Sequence, residues 1–385
     1  MSETTPKKTN IILRLLALLV TVALVLGALV LVVYRDRLNL DALERWLTYR
    51  EVETDESGEI LPFSHAGGDQ LSLSFLDRGL LFSSDTGAHY YSTKGELYAE
   101  QVLDLDYPVL SAGGKAGVVY DAGGQSLFLF RSNQQFEDLS LKGNSDLLSA
   151  RTNSAGWLTV TAQQSGFKGA VTVYNDKLEK MIQISLSSTF VVDAALSPDS
   201  KTVAVVTIDQ QEGAFHSRLL FYPINRTEPS AQVDLGNLVV MDMDFEDDRL
   251  WLLSNGQLLT VDKDGENLSS YSFGHRYLKG YDLGGEGFGM LLLSSYSTGN
   301  ADELVMLDDR CAQLSRMDLS GQILDFDCAG PYAALLLGSE MTVYDRMLAP
   351  VSHLEDTQSA RHIALRADGV AALASRQLCW LYVPD

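Results

Sequence analysis

Cysteine is scarce in this 385-residue chain, with only Cys311, Cys328 and Cys379. An odd count always leaves one thiol over, which argues against a disulfide framework, and without a Cys-x-x-Cys pair neither a zinc site nor a redox pair is indicated. Each cysteine lies in or beside a strand-like run, where a free thiol serves as a small buried hydrophobe. Histidine is also sparse. The six, at 65, 89, 216, 275, 353 and 362, never stand four apart, and no His-Glu-x-x-His occurs, so no helix carries a metal pair. A Gly-x-Ser-x-Gly elbow is missing, which disfavours a serine hydrolase. We expect no cofactor and no metal, hence no catalytic residue that the sequence identifies.

Positive charge is the next shortage: 29 Lys and Arg face 51 Asp and Glu, for a formal charge of −22. Five basic and two acidic residues precede Leu38, so the remainder carries about −25. Such a surface repels nucleic acid, which needs a basic footprint, and repels anionic lipid as well. No nucleic-acid partner is expected.

What the chain has in plenty is apolar sequence. Residues 15–34 are apolar apart from Thr21 and Gly27 and hold no charge until Arg35, long enough to span a hydrocarbon core as a helix. A cleaved signal peptide is the competing reading, with Lys7, Lys8 and Arg14 as its basic region. The apolar run is too long for that, and no Ala-x-Ala site follows. The expected order is a cytoplasmic tail (1–10), a transmembrane helix (11–34), a juxtamembrane helix and linker (35–57) and a folded domain (58–385). Basic residues flank the span on both sides, so charge alone does not orient it. A short basic tail stays inside while a long C-terminal domain is translocated. The expected location is therefore the cell membrane, single-pass, with the N-terminus cytoplasmic and the folded domain outside. Leu40, Leu43, Trp46 and Leu47 share one helical face, either lying at the membrane interface or packing under the domain.

The folded domain repeats. A short apolar strand ending in an aromatic or aliphatic residue, usually followed by a polar one, ends at Tyr91, Phe130, Tyr174, Tyr222, Val261, Leu307, Tyr344 and Tyr382. The spacing of roughly 37 to 48 residues is that of a β-propeller blade. Each copy reads as four strands, a to d, from channel to rim. The fourth is clearest: 191–195, the turn Ser197-Pro198-Asp199-Ser200, then 202–207, 219–222 and 231–235. Arg366-Ala367-Asp368-Gly369 takes the same turn position in the last copy. Asp262-Lys263-Asp264-Gly265 and Thr93-Lys94-Gly95 mark hairpins between c and d, where Gly tolerates positive φ. Asp262 to Asn267 has only a superficial likeness to a calcium loop, lacking the distant bidentate Glu.

The last copy stops after strand c, while residues 59–65 ahead of the first copy look like a spare strand. Pairing the two closes the ring and hides edges that would invite aggregation. The expectation is an all-β, eight-bladed propeller, with seven blades as the fallback should one weak copy be an insertion.

Ser197-Pro198-Asp199-Ser200 and strand ends such as Val343-Tyr344-Asp345 resemble those of the WD40-like and quinoprotein-like propeller superfamilies. With the N-terminal anchor and short basic tail, the chain is similar to an uncharacterised family of membrane-anchored propeller proteins of Gram-positive anaerobes. That resemblance covers nearly the whole chain and implies no catalytic residue. The Gly-His and Trp-Asp signatures of true WD40 repeats are absent, and four tryptophans do not supply repeated Trp-docking motifs.

Function is sought where the copies differ. Connections from b to c lengthen at 162–169, 208–217 and 294–302, on the same end of the ring as the d-to-a links, and long loops on a rigid scaffold are where binding surfaces lie. Phe167, Phe215, His216 and Tyr296 stand there, with His275, Arg276 and Tyr277 from one d-to-a link. The alternating, acid-rich 241–248 fits an inner strand whose Asp242 and Asp244 face the channel. The leading expectation is a noncatalytic scaffold or sensor that binds a protein, peptide or glycan at the cell envelope. The alternative is a hydrolase or lyase with its site in the central funnel.

Overall fold

The computed structural model describes residues 60–384 apart from Asn144 and Glu212, together with Leu18 and Thr21. The expected tail, span and juxtamembrane segment lie outside the described residues, except that Leu18 and Thr21 are helical. Among the described residues no helix is long and apolar enough to cross a membrane.

The described residues form eight four-stranded antiparallel sheets, so the ring has eight blades. All eight recurring strand ends belong to strand c, from Gly87–Ser92 in blade 1 to Leu378–Tyr382 in blade 8. Strands b are buried on both faces, which is why they read as unbroken apolar runs. In strand b of blade 5, Arg249–Ser254, alternate side chains serve two different cores. Leu250 and Leu252 pack with Ala204, Leu219 and Phe221 of blade 4, whereas Trp251 and Leu253 pack with Leu291 and Leu293 of blade 6. The three cysteines are free and buried, and Cys328 packs in the core between blades 6 and 7.

The polar residue after the strand end has a structural job. Ser92, Asn175, Asp308 and Asp345 each accept, through one side-chain oxygen, the amides two and four residues ahead; for Asp345 these are Met347 N at 2.8 Å and Ala349 N at 2.9 Å. That bond folds the chain back into strand d by an Asx-type turn. The fourth turn residue takes positive φ: Gly95 and Gly265 in two blades, but Gln134, Leu178, Cys311 and Leu348 in four others. Asp262 to Gly265 is therefore a hairpin turn, and the Ser197 and Arg366 turns join strands a and b as expected.

Ring closure follows the termini. Phe63–Ser64 pairs with strand c of blade 8 in the register Phe63↔Cys379, Ser64↔Leu378, extended by Ile60 N to Leu381 O at 2.9 Å and His65 N to Gln377 O at 3.0 Å. His65 pins the seam: its ring stacks on Phe82, and its nitrogens lie 2.8 Å from Ala66 O and 3.0 Å from Ser375 O. Because this strand runs antiparallel to strand c, Ile60 sits at the end of the ring that carries the a-to-b and c-to-d turns. The b-to-c loops and d-to-a links occupy the opposite end.

One expectation is corrected. Residues 208–217 are not a loose loop, because strands b and c of blade 4 run on as Thr202–Gln211 and Ala214–Pro223, paired out to Gln211↔Ala214. Arg218 and Asp209 brace the extension with an ion pair of 2.9 Å.

Candidate functional site

The seven residues singled out from the sequence all lie at the b-to-c end. Phe167 and Tyr296 are exposed on their loops, Phe215 is 67 % exposed on the extended hairpin of blade 4, and Tyr277 is exposed at the start of strand a of blade 6. His275 is exposed beside it. His216 is held by Asp234, with Nε2 3.0 Å from Oδ1. Arg276 is committed to the fold: it donates to Glu303 at 2.9 Å, to the Tyr271 hydroxyl at 3.0 Å and to Phe273 O at 2.9 Å.

The same end exposes more apolar groups that the sequence reading passed over. Tyr107, Phe190, Val239 and Met241 stand at the starts of strands a or in the links before them. The Lys168 ammonium, next to Phe167, lies 4.7 Å from the centre of the Phe190 ring and bonds to Ser188 O at 2.9 Å. Lys279 ties strand a of blade 6 to the Tyr296 loop through Ser297 O at 2.9 Å. The signal that would have found these groups is positional, an apolar residue at the first step of strand a.

A second feature lines the axis. Strand a is innermost, so one edge of its backbone faces the channel unpaired, and those amides need acceptors. In blades 3 to 7 strand a carries a β-bulge at the same place. Asp193, Asp242 and Asp325 follow the bulge directly, and Arg151, Asp244, Asp282 and Asp327 stand two residues further on. Acids of one blade reach amides of the next: Asp282 accepts from Cys328 N at 3.1 Å, Asp325 from Ile363 N at 3.0 Å, and Asp327 from Leu365 N at 2.6 Å. Arg151 bridges Asp193, at 2.6 Å, and Asp242.

Burial and crowding raise the acids of this wall. Burial pushes Asp244 up to about 6 in spite of Arg151. It pushes Glu246 up to about 8, helped by Asp244, Asp247 and Glu286. Asp282 and Asp327 hydrogen-bond to each other and burial raises both, so the pair keeps a proton between them. Asp242 and Asp244 thus face the channel as expected. Much of this wall is occupied in satisfying the inner edge and the Arg151 guanidinium. No group of three His, Cys, Asp or Glu among the described residues is arranged to hold a metal ion.

Solved structures share this architecture. The C-terminal WD40 domain of Sif2 is 13% identical, with 84% of this chain and 99% of that one covered at a TM-score of 0.57. The computationally designed protein Ika8 is 11% identical, covering 83% of this chain and 98% of its own, also at 0.57. BamB from Moraxella catarrhalis matches at 13% identity and a TM-score of 0.48, over 84% of this chain and 99% of its own. At such identities the likeness is one of fold alone. No curated protein matches the sequence. Residues 48–347 match the model of a family described as a family of unknown function, DUF5711.

Proposed function

Since the chain belongs to DUF5711, a family of unknown function, we propose from its geometry that it is a noncatalytic binding module which captures a protein partner on the b-to-c end of the propeller. In this reading the apolar segment 15–34 anchors it in the cell membrane, the N-terminus is cytoplasmic and the propeller stands outside. The observation that carries it is the segregation of exposed aromatic side chains. Tyr107, Phe167, Phe190, Phe215, Tyr277 and Tyr296 all occupy one end, and aromatic side chains in the open are what a protein interface buries. Ile60 enters the ring at the other end. A peptide or a glycan as the captured ligand is an outcome of the test.

The test is capture from cell envelopes by the full-length protein and by the Phe215→Ala/Tyr296→Ala double variant. Loss of one protein band in the variant is expected; identical captured material from both removes the proposal, and capture of glycan alone replaces the partner class. For the anchor, Ser2→Cys and Thr298→Cys variants are exposed to a membrane-impermeant thiol reagent on intact cells. Labelling at position 298 alone is expected, and labelling at position 2 alone reverses the topology. The competing reading, a funnel-site hydrolase or lyase, draws on the proton shared by Asp282 and Asp327; turnover of a peptide or glycan library that Asp327→Asn abolishes would establish it.

A further inference from the structure

At the a-to-b mouth of the channel lies a pocket of about 390 Å³, walled by the inner turns of blades 2 to 5 and by Gly284 of blade 6. Its one guanidinium, Arg151, is already engaged by Asp193 and Asp242. Asp244, which the Arg151 charge also reaches, and Glu246 line the pocket with no ion pair among the described residues, and the charges that act on Glu246 are Asp244, Asp247 and Glu286, all negative.

A separate observation points the same way. Thr159 on the pocket wall is 1 % exposed, yet its Oγ1 has no hydrogen-bond partner among the described residues. It stands opposite Arg151 in the register of strands a and b, which sets both side chains on one face of blade 3. A hydroxyl so placed costs stability unless something bonds to it. An ammonium offers three donors and a positive charge, matching a hydroxyl, the Asp244 carboxylate and Glu246, whose proton the bound cation would displace. Ala195, Leu196 and Pro198 give the remaining wall an apolar stretch suited to a methylene stem.

We propose that this pocket is a binding site for an alkylammonium group, held by Asp244, Glu246 and Thr159. A free diamine or polyamine and the lysine side chain of a partner share that chemistry, and the experiment separates them. Putrescine, spermidine and a lysine-rich peptide are titrated calorimetrically into purified full-length protein at constant ionic strength, with tetramethylammonium, which has no N–H, as the control. Saturable binding of at least one amine probe is expected, weakened about tenfold or more by Glu246→Gln and by Asp244→Asn, and less by Thr159→Val. Glu246→Gln removes a repelled carboxylate, so loss of binding there is not loss of fold. Preference for the diamine assigns a small ligand, and preference for the peptide assigns a partner's side chain. Absence of saturable binding in both arms, affinity untouched by the two carboxylate variants, or equal binding of tetramethylammonium overturns the proposal.

Discussion

Arg276 and Phe215 stood together as candidate binding residues, and their surroundings now separate them. Arg276 holds Glu303, whose side chain is 7 % exposed, and also bonds Tyr271 and a backbone carbonyl. Truncating it leaves a buried carboxylate with Arg316 as its remaining ion-pair partner. Arg276→Ala is therefore expected to cost about 1–3 kcal/mol in urea unfolding, whereas Phe215→Ala and Tyr296→Ala, exposed and free of such bonds, should change stability by no more than about 0.5 kcal/mol. Equal stability of all three variants would show that Arg276 is a surface group after all. The sequence revealed the loop aromatics because loops of unequal length stand out from a repeat. Phe190 and Met241 escaped notice because an apolar residue opening an inner strand looks like core, and only the place where the strand meets the channel end decides that it is exposed.

Elements were more legible than residues, for a chemical reason. In four blades the turn from c to d is braced by a short side-chain acceptor at its first position, so Ser92, Asn175, Asp308 and Asp345 mark it in blades 1, 3, 6 and 7. The blades themselves offer the control for a test. Asp345→Ala loses two bonds to turn amides and is expected to lower stability by about 1 kcal/mol, while Asp345→Asn, which copies Asn175 of blade 3, should lie within about 0.5 kcal/mol of the parent. Chemical denaturation of both variants decides it, and an Asn variant as unstable as the Ala one would mean that charge, not the turn bond, matters there. The extended hairpin of blade 4 was illegible by contrast. Beyond Thr207 its strands leave the ring, so Asp209, Gln210, His216 and Arg218 are polar on both faces, and the alternation that separates a strand from a loop disappears. The closing strand could be read because the last copy carries strands a to c and takes its d strand from ahead of the first copy.

At the scale of the whole molecule, the channel acids make stability depend on pH in an unusual direction. An unfolded Asp or Glu releases its proton near pH 4, whereas in the fold Asp244 keeps its proton to about 6 and Glu246 to about 8, chiefly through burial. Asp282 and Asp327 are raised as well. Between about pH 4 and pH 8 the folded state therefore binds more protons than the unfolded one, and by linkage stability falls as pH rises through that window. Both numbered groups are only partly buried, so solvent screening reduces the effect. A melting temperature lower by about 1–2 °C at pH 8 than at pH 5.5, equivalent to about 1 kcal/mol, is expected for a domain of this size. The net charge acts in the same sense, because losing protons deepens an already negative surface. The two contributions separate by substitution and salt: Glu246→Gln should flatten the upper part of the slope at any ionic strength, while added salt should weaken only the surface contribution. A melting temperature that rises between pH 5.5 and pH 8, or a slope that Glu246→Gln leaves unchanged and salt abolishes, would place the pH dependence on the surface and leave the channel acids ionised in the fold.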